Sequence, residues 1–183
     1  MERIALLEPC ARYADDLWRF RQEIFACDAE NEDRFAGCGW LDTAESAEAW
    51  ITSCRLRRSE ATCGLTGTAV PSHTSLAVRE GDDRIVGIID LRHHLNHPVL
   101  DTWGGHCGYS VRPSERGRGY AREMLRLNLP NARAMGIPAL LVTCADGNIA
   151  SERAITGNGG VYEKTLDVDG RRIKRYWIAT GAT

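Results

Sequence analysis

One segment near the middle of the chain limits the choice of fold more than any other. Residues 111–121 join a predicted strand to a predicted helix through a loop with two glycines and several arginines. Glycine accepts positive φ angles and has no side chain to block a close approach, so the N–H groups of this loop can turn inward around an anion. The helix that follows directs its positive N-terminal end at the same point. The segment therefore predicts a pyrophosphate cradle between a strand and a helix.

The charge of this region agrees with an anion site. From Arg112 to Arg126 there are five arginines and two glutamates, which gives +3, whereas the whole chain has a formal charge of −2. Because the basic charge is local, we expect no general binding to nucleic acid or to an anionic membrane. An exposed Arg-Gly turn that contacts RNA is the alternative, but the chain lacks the aromatic residues of an RNP motif and a broad basic face.

The spacing of the loop distinguishes between known phosphate-binding motifs. No Lys-Ser or Lys-Thr follows Gly119, as a P-loop would require, and Arg122 stands where a dinucleotide-binding loop would have its third glycine. The pattern that is present is Arg116-x-x-Gly119-x-Ala121. It resembles the Q/R-x-x-G-x-G/A motif of the GCN5-related N-acetyltransferases (GNAT), which hold the pyrophosphate of acetyl-coenzyme A (acetyl-CoA) in this loop.

Hydrophobic spacing and turn residues predict an α+β fold with one mixed sheet, in a single domain over residues 1–183. The predicted order is β-α-α-β-β-β-α-β-α-β-β. The predicted helices and strands are 3–7, 11–27, 43–57, 74–79, 84–92, 105–111, a helix after the loop, 139–144, a helix from about 148 to 157, 161–168 and 171–178. We expect Asp42 or Thr43 to cap the second helix, Pro130 to kink the third, and Asp169-Gly170 to form a type I′ turn.

The same order of elements is typical of the GNAT family, and the resemblance covers most of the chain. Three further motifs support it, at residues 108–111, 148–151 and 159–160. Residues 91–96 and 104–116 also resemble a poorly characterised bacterial branch of predicted acetyltransferases. That branch says little about the acceptor.

The resemblance implies a set of residues that contact acetyl-CoA. The backbone of β-strand residues would pair with the pantetheine arm, the loop would bind the pyrophosphate, and one asparagine would contact the cofactor near the pantetheine. These residues are Tyr109, Ser110, Val111, Arg116, Gly117, Arg118, Gly119, Tyr120, Ala121, Arg122 and Asn148. Each has a structural alternative: the strand residues could simply be core, Asn148 is a good helix N-cap, and Arg112 and Arg118 could be solvated charges.

Acetyl transfer to an amine needs a neutral nucleophile. An alkylamine with a pKa of about 10.4 is only roughly 0.1% neutral near neutral pH, a penalty of about 4 kcal/mol. Many GNAT enzymes have a tyrosine seven residues after the asparagine, which acts as the general acid. Some have a glutamate five residues before the asparagine, which acts as the general base. Here Ile155 and Thr143 stand at those positions, so neither role transfers. The remaining candidate base is His106, because a pKa of about 6.5 suits that role. Either His93 or His94 could join it in the site.

The predicted function is acetyl transfer from acetyl-CoA to a primary amine, on a small molecule or a peptide, by direct transfer. Cys107 could act as a nucleophile, but we interpret it as a small core residue. A cluster of acidic residues between positions 28 and 42 would suit a cationic acceptor, or it could simply be solvated surface. The cluster comprises Asp28, Glu30, Glu32, Asp33 and Asp42. The alternative from another class is a non-catalytic acyl-CoA-binding regulatory module, suggested by the absent tyrosine and glutamate. A structural imidazole is likewise the alternative for His106.

The remaining features limit location and partners. The seven cysteines form no C-x-x-C pair, and the preceding alternation places His93, His94 and His97 on or after a strand, so no metal site is expected. No secretory signal or membrane span is visible. We therefore expect a cytoplasmic protein with reduced thiols. Trp177 and Ile178 could complete the core, or they could contact a second subunit in a homodimer.

Overall fold

In the described part of the chain, seven strands form one mixed sheet. The computed structural model describes residues 2–31 and 33–181. Its elements are β1 (Ile4–Leu7), α1 (Ala14–Cys27), α2 (Ala47–Leu56), β2 (Ser72–Arg79), β3 (Arg84–Arg92), β4 (Cys107–Val111), α3 (Tyr120–Ala134), β5 (Ala139–Ala145), α4 (Ile149–Thr156), β6 (Val161–Val168) and β7 (Arg171–Ala179). The sheet order is β1-β2-β3-β4-β5-β7-β6. The predicted α+β fold and the order of its main elements are confirmed.

Helices cover both faces of this sheet, because alternate residues of a strand point to opposite sides. On one face α1 and α2 bury Leu17, Phe20 and Trp50 against Leu76 and Ile88. On the other, α3 and α4 form a second core whose buried members include Met124, Leu125, Val142, Ile155, Tyr176 and Ile178. Ile178 thus belongs to the core. Each of these large side chains contributes about 1.5–3 kcal/mol by leaving water, so both layers hold the central strands in place.

Some element boundaries differ from the sequence prediction for local reasons. Helix α2 begins at Ala47 and is capped by the Ser46 hydroxyl, which accepts from the Ala49 N–H at 3.1 Å. Asp42 is not the cap, since its segment is a turn whose carbonyls accept from the Arg21 guanidinium. Strand β4 begins at Cys107 because a short π-helical turn and a left-handed glycine precede it. The third helix, α3, continues past Pro130 to Ala134.

The hairpin between β6 and β7 has the predicted turn. Asp169 has φ 51° and Gly170 has φ 80°, and a type I′ turn requires positive φ at both central residues. The turn positions β6 as the edge strand of the sheet, next to β7.

A buried ion pair joins α1 to the end of β4. Arg112 is only 1% exposed, and its guanidinium donates to the Asp16 carboxylate and to the Asp16 carbonyl oxygen, both at 2.9 Å. The same carboxylate accepts from the Ile85 N–H at 2.7 Å. The interpretation of Arg112 as a solvated charge is therefore wrong: this arginine fixes the start of the loop against the helix layer.

We predict that Arg112→Met destabilises the protein by about 3 kcal/mol, because removing one partner of a buried pair leaves the other charge poorly compensated. The matched control is Arg126→Met, since Arg126 pairs with Glu123 at the surface with its side chain 58% exposed. That control should change the free energy of unfolding by no more than about 0.5 kcal/mol. Urea denaturation monitored by circular dichroism measures both. Equal losses in the two variants would contradict the structural role of Arg112.

Candidate functional site

In the described residues, the ladder between the parallel strands β4 and β5 is confined to the first residue of β4, opposite the middle of β5. In the part of the chain that the structure describes, their register contains a single pair, Cys107 with Val142. β3 pairs with β4 along its whole length, and β7 does the same for β5. Beyond the Cys107–Val142 pair the two strands share no ladder. A split therefore opens between them near the middle of the sheet, closed at the end where β4 begins.

His106 lies at the closed end of this split. The backbone N–H of His106 donates to the Leu141 carbonyl oxygen at 2.8 Å. The backbone N–H of Leu141 donates in return to Nδ1 of the His106 imidazole at 3.0 Å. The imidazole thus takes the place of a backbone acceptor between the two strands. Because Nδ1 accepts a hydrogen bond, the neutral ring carries its hydrogen on Nε2.

The environment of His106 keeps the ring uncharged. Burial lowers the pKa of His106 to about 4, and the positive charges of Arg92 and His94 act in the same direction. The sequence-based argument for a base assumed an ordinary pKa near about 6.5. At neutral pH the structure instead has a neutral imidazole with one nitrogen already bonded. Catalysis by His106 stays a prediction, but its chemistry differs from that of a free base.

The backbone direction of β4 decides which groups face the split. The Arg112 N–H donates to the Val86 carbonyl at 2.9 Å, and His106 O accepts from the Arg92 N–H at 2.8 Å. Residues of an antiparallel ladder alternate, so the even-numbered residues of β4 bond to β3. Tyr109 and Val111 consequently direct their backbone groups toward β5. Their amides are the groups available to an extended ligand lying in the split.

Ser110 has a different environment from its two neighbours. By the same alternation its backbone faces β3, where its partner is Ile88. Its hydroxyl donates to the Ala36 carbonyl at 2.8 Å, so the side chain holds the connection between α1 and α2 over β4. The structure therefore places Ser110 beside the split without directing its backbone into it.

The glycine loop has the geometry expected of an anion cradle. Gly117 has φ 76° and Gly119 φ 88°, values that favour glycine. Gly119 is the residue before α3, and no side chain caps this helix. The first N–H groups of a helix have no intrahelical acceptor. Those of Tyr120, Ala121 and Arg122 are therefore presented together at the N-terminus of α3, where the helix dipole favours an anion.

Most arginines of this region are engaged in ion pairs, two of them with carboxylates from a distant part of the chain. The pairs are Arg112–Asp16, Arg116–Asp28, Arg118–Glu115 and Arg126–Glu123. Arg122 forms no ion pair with any residue described. The local excess of positive charge is thus largely neutralised, and an anion would be held chiefly by N–H groups and Arg122. Sequence counting could not reveal this because the carboxylates of Asp16 and Asp28 come from a distant part of the chain.

A buried glutamate fixes the base of the cradle. Glu115 is 4% exposed, and its carboxylate pairs with Arg79 on β2 at 2.9 Å and with Arg118 at 3.1 Å. The Arg79 guanidinium also pairs with Asp82. In the sequence Glu115 only reduced the local charge. In the structure it connects the loop to the sheet.

Residues 28–31 and 33–36 belong to a strap that contacts both the cradle and the β6–β7 hairpin. Asp28 pairs with both terminal nitrogens of Arg116, at the cradle, and this guanidinium holds the pKa of Asp28 below its usual value. Asp33 pairs with Arg171 of the β6–β7 hairpin at 2.5 Å. These two carboxylates are therefore neutralised rather than open to a cationic acceptor. Glu30 is exposed, and Glu32 lies outside the described residues.

Two hydroxyl groups, one from β4 and one from α4, meet at the N-terminus of α4. Asn148 caps this helix, since its Oδ1 accepts from the Ser151 N–H at 3.1 Å. The Tyr109 hydroxyl reaches from β4 to the Ser151 hydroxyl at 2.7 Å. Sequence reasoning assigned no role to Ser151. The signal available was its position three residues after Asn148, and the partner on β4 could only be found in the structure.

The positions of the family's tyrosine and glutamate have structural roles here. Ile155 is fully buried in the core between α3, α4 and the sheet. The Thr143 hydroxyl donates to the Trp103 carbonyl at 2.6 Å. Cys107 is 3% exposed, and burial raises its pKa to about 12. It is a core thiol, as predicted, and is not poised as a nucleophile.

Three other histidines, at positions 73, 93 and 94, pair with side chains outside the split. His93 Nε2 lies 2.7 Å from His73 Nδ1, and His94 contacts Glu60 at the surface. Among the described residues no group of three or more His, Cys, Asp or Glu side chains could hold a metal ion. In the same residues no helix is long and apolar enough to cross a membrane.

Several solved structures share this fold at low sequence identity. A GNAT-family acetyltransferase from Bordetella pertussis superimposes with a TM-score of 0.62 at 17% identity, over 98% of this chain and 97% of that one. The acetyltransferase yncA from Salmonella typhimurium, solved with acetyl-CoA, gives 0.64 at 14% identity, over 99% and 95%. The ribosomal L7/L12 α-N-protein acetyltransferase RimL, solved with coenzyme A, gives 0.67 at 15% identity, over 98% and 96%.

Sequence comparison gives the family directly. No curated protein sequence matches the chain. The family described as "Acetyltransferase (GNAT) domain" matches residues 3–161, which is most of the chain. The split sheet, the glycine cradle before α3 and this match lead to one conclusion: the chain belongs to the GNAT acetyltransferase family.

Proposed function

We propose that this protein transfers an acetyl group from acetyl-CoA directly to a primary amine. The observation that carries the proposal is the continuity between the split and the N-terminus of α3. The N–H groups of Tyr120, Ala121 and Arg122 bind the pyrophosphate. The pantetheine arm then lies along the backbone N–H groups of Tyr109 and Val111, as an added strand would, while the Val111 carbonyl accepts from the Arg116 guanidinium at 3.2 Å. This arrangement directs the thioester toward the closed end of the split.

The hydroxyl pair of Ser151 and Tyr109 is our candidate for protonating the leaving thiolate. Both hydroxyls lie beside the split, and the Ser151 hydroxyl belongs to the first turn of α4, where the helix dipole favours negative charge. Burial raises the pKa of Tyr109, so its hydroxyl stays protonated and can donate. These two groups would supply the acid that the family places at the position of Ile155.

The inference about the acceptor starts from the two described positions considered for a base. Thr143 occupies the family's glutamate position, and His106 has a bonded Nδ1 and a lowered pKa. Without a base at these two positions, the site favours an amine that is already partly neutral. An α-amino group, with a pKa of about 7.7–8.0, meets this condition far better than an alkylamine with a pKa of about 10.4. We therefore infer a peptide N-terminus as the acceptor, since this pKa is that of an α-amino group at the start of a peptide chain.

The second candidate is an acyl-CoA-binding regulatory module without turnover. The substitutions at Thr143 and Ile155 favour it, because both family groups are replaced by residues with structural contacts. It predicts cofactor binding without acetylation of any amine. A homodimer stays a separate prediction, which a sizing measurement would test.

We predict that Gly119→Glu weakens acetyl-CoA binding by about tenfold or more, equal to about 1.4 kcal/mol. The new carboxylate would oppose the pyrophosphate. The matched control is Gly136→Glu at the other end of α3, where φ is 75° and no atom lies within 4 Å of the added Cβ. Isothermal titration calorimetry with acetyl-CoA measures both variants. Unchanged affinity in Gly119→Glu would refute the cradle assignment.

We predict that Ser151→Ala lowers kcat by about tenfold or more while the Kd for acetyl-CoA changes little, since general acids contribute about 10²–10⁴-fold and Tyr109 can partly replace the hydroxyl. Thr156→Ala is the control, because that hydroxyl lies on the same helix and bonds only to the Glu152 carbonyl. Thiol release from acetyl-CoA is the assay. Equal kcat in the two variants would remove Ser151 from the mechanism.

We predict a pH-dependent preference between amines. At pH 7.4 a short lysine-free peptide should have a kcat/KM about 10²-fold above that of the same peptide with an acetylated N-terminus and one lysine, in line with their neutral fractions. By pH 9 the ratio should shrink about tenfold, because the lysine gains neutral form faster. Thiol release against pH measures both. A lysine peptide that matches the α-amine peptide at pH 7.4 would mean that the site contains an effective base.

A further inference from the structure

The imidazole of His106 has one nitrogen bonded and one nitrogen open. Nδ1 accepts from the Leu141 N–H, so Nε2 carries the hydrogen. Among the described residues, four buried side-chain nitrogens have no hydrogen-bond partner, and they belong to Arg57, Arg58, Arg84 and Arg112. Nε2 of His106 is not one of them, and no described side chain or backbone group bonds to it. At the residue that closes the split, an N–H donor is therefore left without a partner among the described residues.

The position of this ring is fixed from several sides. The Arg92 guanidinium donates to the carbonyl oxygens of Gly104 and Gly105, both at 3.0 Å, which holds the turn that leads into His106. The Arg92 N–H donates to His106 O. On the opposite side the Trp177 ring meets the imidazole edge-on, with the centroids 6.4 Å apart. Residue 106 is 6% exposed, so the donor has little freedom to turn away.

We propose that His106 acts as a neutral hydrogen-bond donor to the acetyl group, through Nε2–H, and not as a general base. This inference rests on the proposed function, which directs the thioester to the closed end of the split. The Leu141 N–H sets the tautomer, and the β4–β5 junction sets the direction of the donor. A donor placed in advance stabilises the charge that forms on a carbonyl oxygen and needs no rearrangement during the reaction.

The proposed step leaves the protonation of His106 unchanged. The amine nitrogen forms a bond to the carbonyl carbon, and the carbonyl π electrons move to oxygen, where Nε2–H donates to them. When the C=O bond re-forms, the C–S bond breaks and its electrons go to sulfur. The nitrogen loses one proton to water, and the thiolate takes one from the Ser151 hydroxyl, which regains it from water. His106 binds the oxygen and transfers no proton.

Two substitutions separate a donor from a base. In His106→Gln the amide oxygen can accept from the Leu141 N–H while its NH₂ group donates toward the split. His106→Leu can do neither. A donor role predicts that the glutamine variant keeps kcat/KM within about tenfold of wild type, whereas the leucine variant loses about 10²–10³-fold, as for a lost oxyanion donor. A base role predicts that both variants are equally impaired.

The pH profile gives a second readout. The charged groups that act on His106 are Arg92 on β3 and His94 beyond it, and His94 contacts Glu60. If His106 is a donor, kcat/KM of the wild type should follow the ionisation of the acceptor amine alone from pH 9 to pH 6. A further limb in that range that disappears in His106→Gln would overturn the proposal.

The tautomer can be measured without any substrate. Long-range ¹H–¹⁵N spectra of the wild type at pH 7 should show His106 neutral, with its hydrogen on Nε2. A charged ring, or a hydrogen on Nδ1, would overturn the proposal even if a variant fails to fold. Wild-type protein that binds no acetyl-CoA would overturn the proposed function and this inference with it. Turnover by the wild type with equal losses in the glutamine and leucine variants would overturn this inference alone.

Discussion

The structure depends on one short junction between its two central strands. Cys107 pairs with Val142, and the hydrogen bonds between His106 and Leu141 close the end of that contact. Everything on one side, from β1 to β4, connects within the sheet to β5, β7 and β6 through this junction. If the strands paired along their whole length, the backbone groups of Tyr109 and Val111 would be consumed by the ladder. The incomplete pairing is what leaves their N–H groups outside the ladder.

A side chain at such a junction has consequences that a backbone acceptor would not. A carbonyl oxygen could satisfy the Leu141 N–H equally well, but it would present nothing further. An imidazole accepts with one nitrogen and donates with the other, so the junction that holds the strands together also has an N–H group that its own hydrogen bonds do not use. Burial that keeps the ring neutral is essential to this, since a charged ring would have a hydrogen on both nitrogens and would oppose the Leu141 N–H.

Local signals predicted the main elements well, whereas contacts between distant residues escaped them. The strand, glycine loop and helix were readable because positive φ at Gly119 and the helix that follows are properties of neighbouring residues. The Asp169-Gly170 turn was predictable for the same reason. The partner of Arg112 is Asp16, almost a hundred residues away, and that of His106 is Leu141. No periodicity encodes such pairs, so neither the burial of Arg112 nor the hydrogen bond at Nδ1 of His106 is predictable from the sequence.

Two ion pairs of different burial hold the strap. At the cradle, Arg116 contacts both carboxylate oxygens of Asp28, whose side chain is 10% exposed. At the hairpin, Arg171 and Asp33 are 43% and 48% exposed, and exposed pairs contribute only about 0–1 kcal/mol. Of these two pairs, the one at the cradle is therefore the stronger, and it keeps the strap next to the glycine loop before α3.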